Sequence, residues 1–159
     1  MKQSTLSKWL KFIILGVGVC GILVYAVFVP EYGRSTVEAN PEFTGWFVPW
    51  LVFLSVTALP CYAALVLAWK IAVNIGCDRS FSTENARYLK WISFLAAGDA
   101  LYFFIGNVVM LVLDMNHPGI ALASLLIVFA GLAVTVASAA LSHLVGKAAA
   151  LQEQSDLTI

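Results

Sequence analysis

The chain has 159 residues, 61% hydrophobic and only 11% charged, and its nine basic and nine acidic side chains cancel to a formal charge of zero. That composition excludes a soluble globular domain, in which about 25% of residues are charged, and it offers no basic stripe for direct binding to nucleic acid. An integral membrane protein remains.

A bilayer core about 30 Å thick takes about 20 apolar residues of helix. The sequence supplies four such stretches, Trp9 to Val29, Phe47 to Ile71, Trp91 to Leu113 and Gly119 to His143. None shows the polar face of a soluble helix. The expected fold is an all-α integral membrane four-helix bundle. The first stretch has a basic start and a weak signal-peptidase-like site at Val24-Tyr25-Ala26. Its apolar run exceeds a signal core, and its removal would leave an odd number of spans, so it is expected to be retained.

Pro30 to Gly45 forms the first outer loop, with Gly33, Pro41 and Gly45 disfavouring a regular helix. It is mildly acidic, with Glu31, Glu38 and Glu42 against Arg34. After the second span, Gly76 is placed to end the helix in a left-handed conformation. Ser82 or Thr83 can cap the next helix, with Glu84 at its positive end and Phe81 stapled back on Ala86 or a nearby apolar residue.

Span three contains the most costly residue, Asp99, about 12 Å from the span's start. An ionised carboxylate at that depth costs several kcal/mol unless it is paired, hydrated or protonated. Tyr62, Thr135 and Ser138 are its expected neighbours, and Asn107 faces broadly the same way. Two readings follow. Asp99 either clamps spans three and four by hydrogen bonds or carries a proton or cation in transport, as a membrane-embedded glutamate does in four-helix small multidrug transporters. A transporter of four short spans would enclose little volume alone and is expected to be a homo-oligomer.

The short connection Asp114 to Pro118 predicts a tight antiparallel hairpin of spans three and four, with Pro118 in a first helical turn. Span four has small residues at four-residue spacing, Gly131, Thr135 and Ala139 and again Ser138, Ser142, Gly146 and Ala150. Such rows let helix backbones approach closely. Nothing obvious stops this helix before Gln152, so residues 144–159 are expected to form a cytoplasmic stem followed by an exposed tail from Ser155.

Basic residues set the expected orientation. Lys2, Lys8, Lys11, Lys70, Arg79, Arg87, Lys90 and Lys147 fall before or at the start of span one, at the end of span two or between spans two and three, or after span four, and Arg34 alone lies opposite. Both termini and the central loop are therefore expected in the cytoplasm of a bacterium, with the chain in its inner membrane. Trp9, Trp69 and Trp91 fit an inner aromatic belt, and Trp46 and Trp50 an outer one.

No catalytic or cofactor motif emerges. Cys20 and Cys61 lie within spans and Cys77 in the central loop, with no CxxC pair. Both intramembrane cysteines are expected at helix contacts. His117 and His143 fall at opposite ends and cannot share a metal. Ser142 and His143 are adjacent on a helix and point about 100° apart, which excludes a nucleophile–base pair. No glycine loop that cradles phosphate is present. A non-enzymatic protein without cofactor is expected.

The central loop reads Gly-x4-Phe-Ser-x2-Asn-x3-Leu through Gly76, Phe81, Ser82, Asn85 and Leu89, and the chain closes on Asp156-Leu157-Thr158-Ile159. Together these resemble a family of uncharacterised four-helix bacterial membrane proteins, a domain of unknown function. Its members are often encoded beside a small helix-turn-helix regulator of the Cro/CI class. The resemblance implies that such a regulator is the partner. Phe81, Ser82, Asn85, Leu89 and the four closing residues are then the candidate contacts, and the tail can dock as a strand or through Leu157 and Ile159.

Overall fold

The computed structural model describes residues 3–116 and 118–156. Among the described residues every regular element is helical, and four helical segments are long and apolar enough to cross a membrane. Pro30 to Gly45 is not the irregular loop that its glycines and prolines suggest. Helix α1 (Gln3–Leu23) runs through a π-turn (Val24–Phe28) into α2 (Val29–Ala39). In the π-turn the Val29 N–H reaches back five residues to the Val24 carbonyl. The wider coil relieves the clash of the Pro30 ring with the preceding turn, so the helix passes through the proline. Asn40, at φ −137° and ψ 83°, is extended as a residue before proline must be, and a 3-10 turn (Pro41–Trp46) follows.

Helix α3 (Phe47–Gly76) carries Pro60 in its interior, α4 spans Thr83–Val112 and α5 spans Pro118–Asp156. With 39 residues α5 is about 58 Å long, nearly twice the thickness of a hydrocarbon core. The helix runs unbroken past His143 and continues through Ser155 and Asp156, where an exposed tail was expected. Gly146 does not end it, because its place against Ala86 (a Cβ there would lie 3.7 Å from the Ala86 Cβ) continues the contact with α4.

The spans lie in a row that follows the sequence. α1 packs on α3, α3 on α4 and α4 on α5, and among the described residues no Cα of α1 lies within 8 Å of α4 or α5, nor any of α3 within 8 Å of α5. The bundle is therefore open. Its accessible surface is 10537 Å², against about 7,800 Å² for a compact soluble protein of this mass. Among the described residues five apolar side chains are buried and eight polar ones are. This inverts the soluble pattern for a physical reason: lipid accepts the apolar surface, and the polar groups turn inward to find partners.

Each junction in the row has its own polar rivets. Between α1 and α3, Ser7 Oγ donates to the Ala72 carbonyl at 2.6 Å, and the Tyr62 hydroxyl donates to that of Gly18 at 2.9 Å. Between α4 and α5, Ser93 Oγ donates to the Thr135 carbonyl (2.9 Å) and Ser142 Oγ to that of Ala86 (2.7 Å). A Cβ on Gly131 would come within 3.0 Å of the Ala100 Cβ, the close approach that the small-residue row of span four predicts. The α4–α5 pair is the most extensive contact in the molecule and forms the expected hairpin.

Candidate functional site

The start of α1, the α3–α4 connection and the C-terminal part of α5 share one end of the row, called here the terminal end. Asn85, in the first turn of α4, is its centre and is only 1% exposed. Its Oδ1 accepts from Asn74 Nδ2 at 2.8 Å, and its own Nδ2 donates to the carbonyls of Arg79 and Ser80, each at 3.0 Å. Asn74 closes α3, since the Arg79 N–H returns to its carbonyl at 3.0 Å. With its amide nitrogen toward the loop, Gln3 donates to Ser80 Oγ (2.8 Å), the Ile75 carbonyl (3.1 Å) and Asp78 Oδ1 (3.2 Å). Residues 77–82 are therefore held from below by α3, from within by α4 and from the side by α1.

Two local expectations are sharpened here. Ser82 is the cap of α4, extended at φ −126° and ψ 148°, with its Oγ accepting from the Asn85 N–H at 3.2 Å. Ser82→Ala is expected to cost about 1 kcal/mol, read as a lower denaturation midpoint in micelles. The left-handed residue after α3 is Asp78, at φ 58°, and not Gly76. Gly76 serves a different need: a Cβ there would sit 2.8 Å from Ser7 Oγ. Its lack of a side chain lets α1 reach α3.

The candidate contact residues thus separate. Asn85 is enclosed and supports the loop, and Ser82 is committed to the cap. Phe81 stands 59% exposed beside them rather than folded back on the helix, and Leu89 is half-buried one turn beyond Asn85. Asp156 is the last residue of α5, while Leu157, Thr158 and Ile159 lie outside the described residues, as does His117. Asn74 and Gln3 are supports of the loop that sequence reasoning passed over. A lone amide at the end of an apolar span was the available signal.

Basic residues meet aromatics at this same end. Lys11 Nζ lies 5.8 Å from the Trp69 ring centre, Lys70 5.5 Å from Tyr88 and Lys90 5.9 Å from Phe94. A shallow groove beside Lys90 and Phe94 runs along α5 past His143 and Lys147 to Ala150.

Asp99 lies half-buried on α4, and its neighbours differ from those expected. Its Oδ2 accepts a long contact, 3.7 Å, from Cys61 Sγ on α3. Tyr62 is occupied with Gly18, and Thr135 bonds back to Gly131 at 2.9 Å within its own helix. The carboxylate therefore faces α3 rather than clamping α4 to α5. One turn from Cys61, Thr57 shares a 2.8 Å hydrogen bond with Tyr25 of the π-turn. Pro60 lies between them and removes a ladder bond from α3. Asn107 faces elsewhere, accepting from Asn116 Nδ2 at 3.2 Å near the opposite end. Cys20 and Cys61 are both exposed, and Cys61 meets a second helix through its contact with Asp99. No group of three metal-ligating side chains forms among the described residues.

Comparison with known proteins places this architecture. The family described as "Protein of unknown function (DUF2975)" matches residues 31–159. The "Uncharacterized membrane protein YoaS" of Bacillus subtilis (strain 168) is 28% identical over 162 residues, covering 99% of each chain. No solved structure matches. The loop built on Asn85 and the hairpin of α4 and α5 both fall inside the matched region, and the chain belongs to the DUF2975 family of membrane proteins.

Proposed function

We propose that this chain is a non-enzymatic protein of a bacterial inner membrane that binds a small cytoplasmic transcriptional regulator at its terminal end. The carrying observation is the clamped loop with Phe81 exposed at 59% above a buried amide pair. Polar groups sealed in this way hold one conformation, and a recognition surface that is already ordered loses less entropy on binding. α5 passes the start of α4 with Gly146 against Ala86, and its last residue, Asp156, directly precedes Leu157, Thr158 and Ile159 in the sequence. The bias of lysine and arginine to this end supports its facing the cytoplasm. Holding a helix-turn-helix regulator here lowers its free concentration near DNA without any nucleic-acid contact by the membrane protein.

A second reading rests on the Tyr25, Thr57, Cys61 and Asp99 cluster at mid-membrane, where a π-turn and a proline loosen two adjacent helices. In that reading Asp99 carries a proton or cation. One experiment separates the two. Crosslinked complexes are recovered from native membranes with the full chain, with Phe81→Ala, with a chain ending at Gln154, and with Asp99→Asn. Regulator binding predicts a helix-turn-helix protein recovered with the full chain and Asp99→Asn, at least tenfold depleted with the other two. If all four recover no regulator, while Asp99→Asn abolishes proton flux into vesicles, the transport reading replaces it.

A further inference from the structure

At the opposite end of the row, α2, the 3-10 turn, the start of α3 and residues 114–116 border a half-open cavity of about 420 Å³. That size is suited to a small molecule. Tyr32, Phe43, Trp46, Phe47 and Trp50 line it, together with Asp114, and no lysine or arginine does. The geometry points to a binding site for a small organic monocation, such as a quaternary ammonium group, held by the aromatic faces and by Asp114.

The chemistry is that of aromatic cages. Ring faces carry negative electrostatic potential and attract a diffuse cation that has little hydration to lose, whereas a small, strongly hydrated ion gains less. Asp114 supplies the full charge, and it makes no ion pair among the described residues. On α2 and the 3-10 turn Glu31, Glu38 and Glu42 outnumber Arg34, which is itself 3.7 Å from Glu31, so the net charge of this segment favours a cation.

A belt of aromatics anchoring the protein at the membrane surface is the competing explanation, and it covers Trp46, which is 44% exposed. It leaves Phe47 and Trp50 unexplained. Both are half-buried and press on Gly33, where a Cβ would lie 2.7 Å from Phe47 Cε2 and 3.0 Å from Trp50 Cζ3. Trp50 also lies beside Tyr32, with ring centres 6.3 Å apart. These rings are gathered around a space and not splayed toward lipid. Gly33, the residue that invites a loop assignment, is the one that lets them gather.

The test uses the full chain in phosphatidylglycerol nanodiscs, with benzyltrimethylammonium as probe and tryptophan fluorescence as readout. Saturable binding is expected, together with no saturable response to neopentylbenzene, the neutral carbon isostere. Asp114→Asn is expected to weaken the cation at least tenfold. Asp114 has φ 54°, a conformation asparagine also accepts, so the turn is retained. Trp50→Leu, checked for unchanged helix content, is expected to weaken it as well. Phosphatidylcholine nanodiscs separate the sources: suppression of probe binding there identifies a lipid choline headgroup as occupant, and unchanged binding identifies a free cation. Absence of saturable binding, an equal response to the neutral isostere, or full affinity in Asp114→Asn overturns the proposal.

Discussion

Asn85→Ala is expected to destabilise the protein by about 3 kcal/mol, more than any other polar-to-alanine change at the terminal end. The substitution removes the 2.8 Å bond from Asn74 and leaves the carbonyls of Arg79 and Ser80 without the amide that joins them. Truncating one member of a buried polar network costs more than an average hydrogen bond, because the remaining members keep their desolvation penalty. Asn74 retains one weaker option, a 3.4 Å contact with Glu84. The measurement is unfolding by SDS titration in micelles, in a cycle with Asn74→Ala. The double variant is expected to lose clearly less than the sum of the two single losses. Simple additivity, or a loss under about 0.5 kcal/mol for Asn85→Ala, is incompatible with a buried network. Trypsin cleavage after Arg79 should accelerate in parallel, since the loop loses its inner support.

Gly106→Ala is expected to cost about 2 kcal/mol although alanine is the better helix former. A Cβ on Gly106 would overlap Phe53 Cε2 and lie 2.5 Å from Cζ and 2.9 Å from Cδ2. The ring cannot easily step aside. It stacks on Phe103 at 5.8 Å between centres and touches Tyr102 at 5.2 Å, and the Tyr102 hydroxyl donates to the Phe53 carbonyl at 3.3 Å. Relief requires α3 and α4 to part. Gly98→Ala on the same helix is the matched control, because nothing lies within 4 Å of its Cβ position. It should be neutral or stabilising by up to about 1 kcal/mol, from helix propensity alone. Shrinking the ring with Phe53→Leu should recover part of the Gly106→Ala loss. Equal effects at Gly98 and Gly106 would argue against this close approach of α3 and α4.

Hydropathy and length made the four spans legible, and the short Asp114 to Pro118 connection with the small residues of span four made the α4–α5 pairing legible. What escaped has definite physical causes. Gly33 and Pro41 read as loop punctuation, but Gly33 answers to side chains that arrive from α3, which local sequence does not show. Pro30 is accommodated by a π-turn rather than by a break. Asp99 was marked out by its solvation cost alone. Its partner was missed because matching residues by depth does not give the order of helices in the row, and a thiol is an unobvious donor. At the loop, Gly76 drew the left-handed assignment by propensity, whereas Asp78 takes that conformation.

The open row has an energetic corollary. A chain whose spans, among the described residues, bring their backbones within 8 Å only of their sequence neighbours has stability close to a sum of three pairwise interfaces, as in linear repeat arrays, rather than one indivisible core. Loss of a terminal member then costs one interface and leaves the others intact. With the α4–α5 interface the broadest, unfolding should begin from α1 and progress along the chain, while assembly can keep pace with synthesis, each emerging helix docking on the one just inserted.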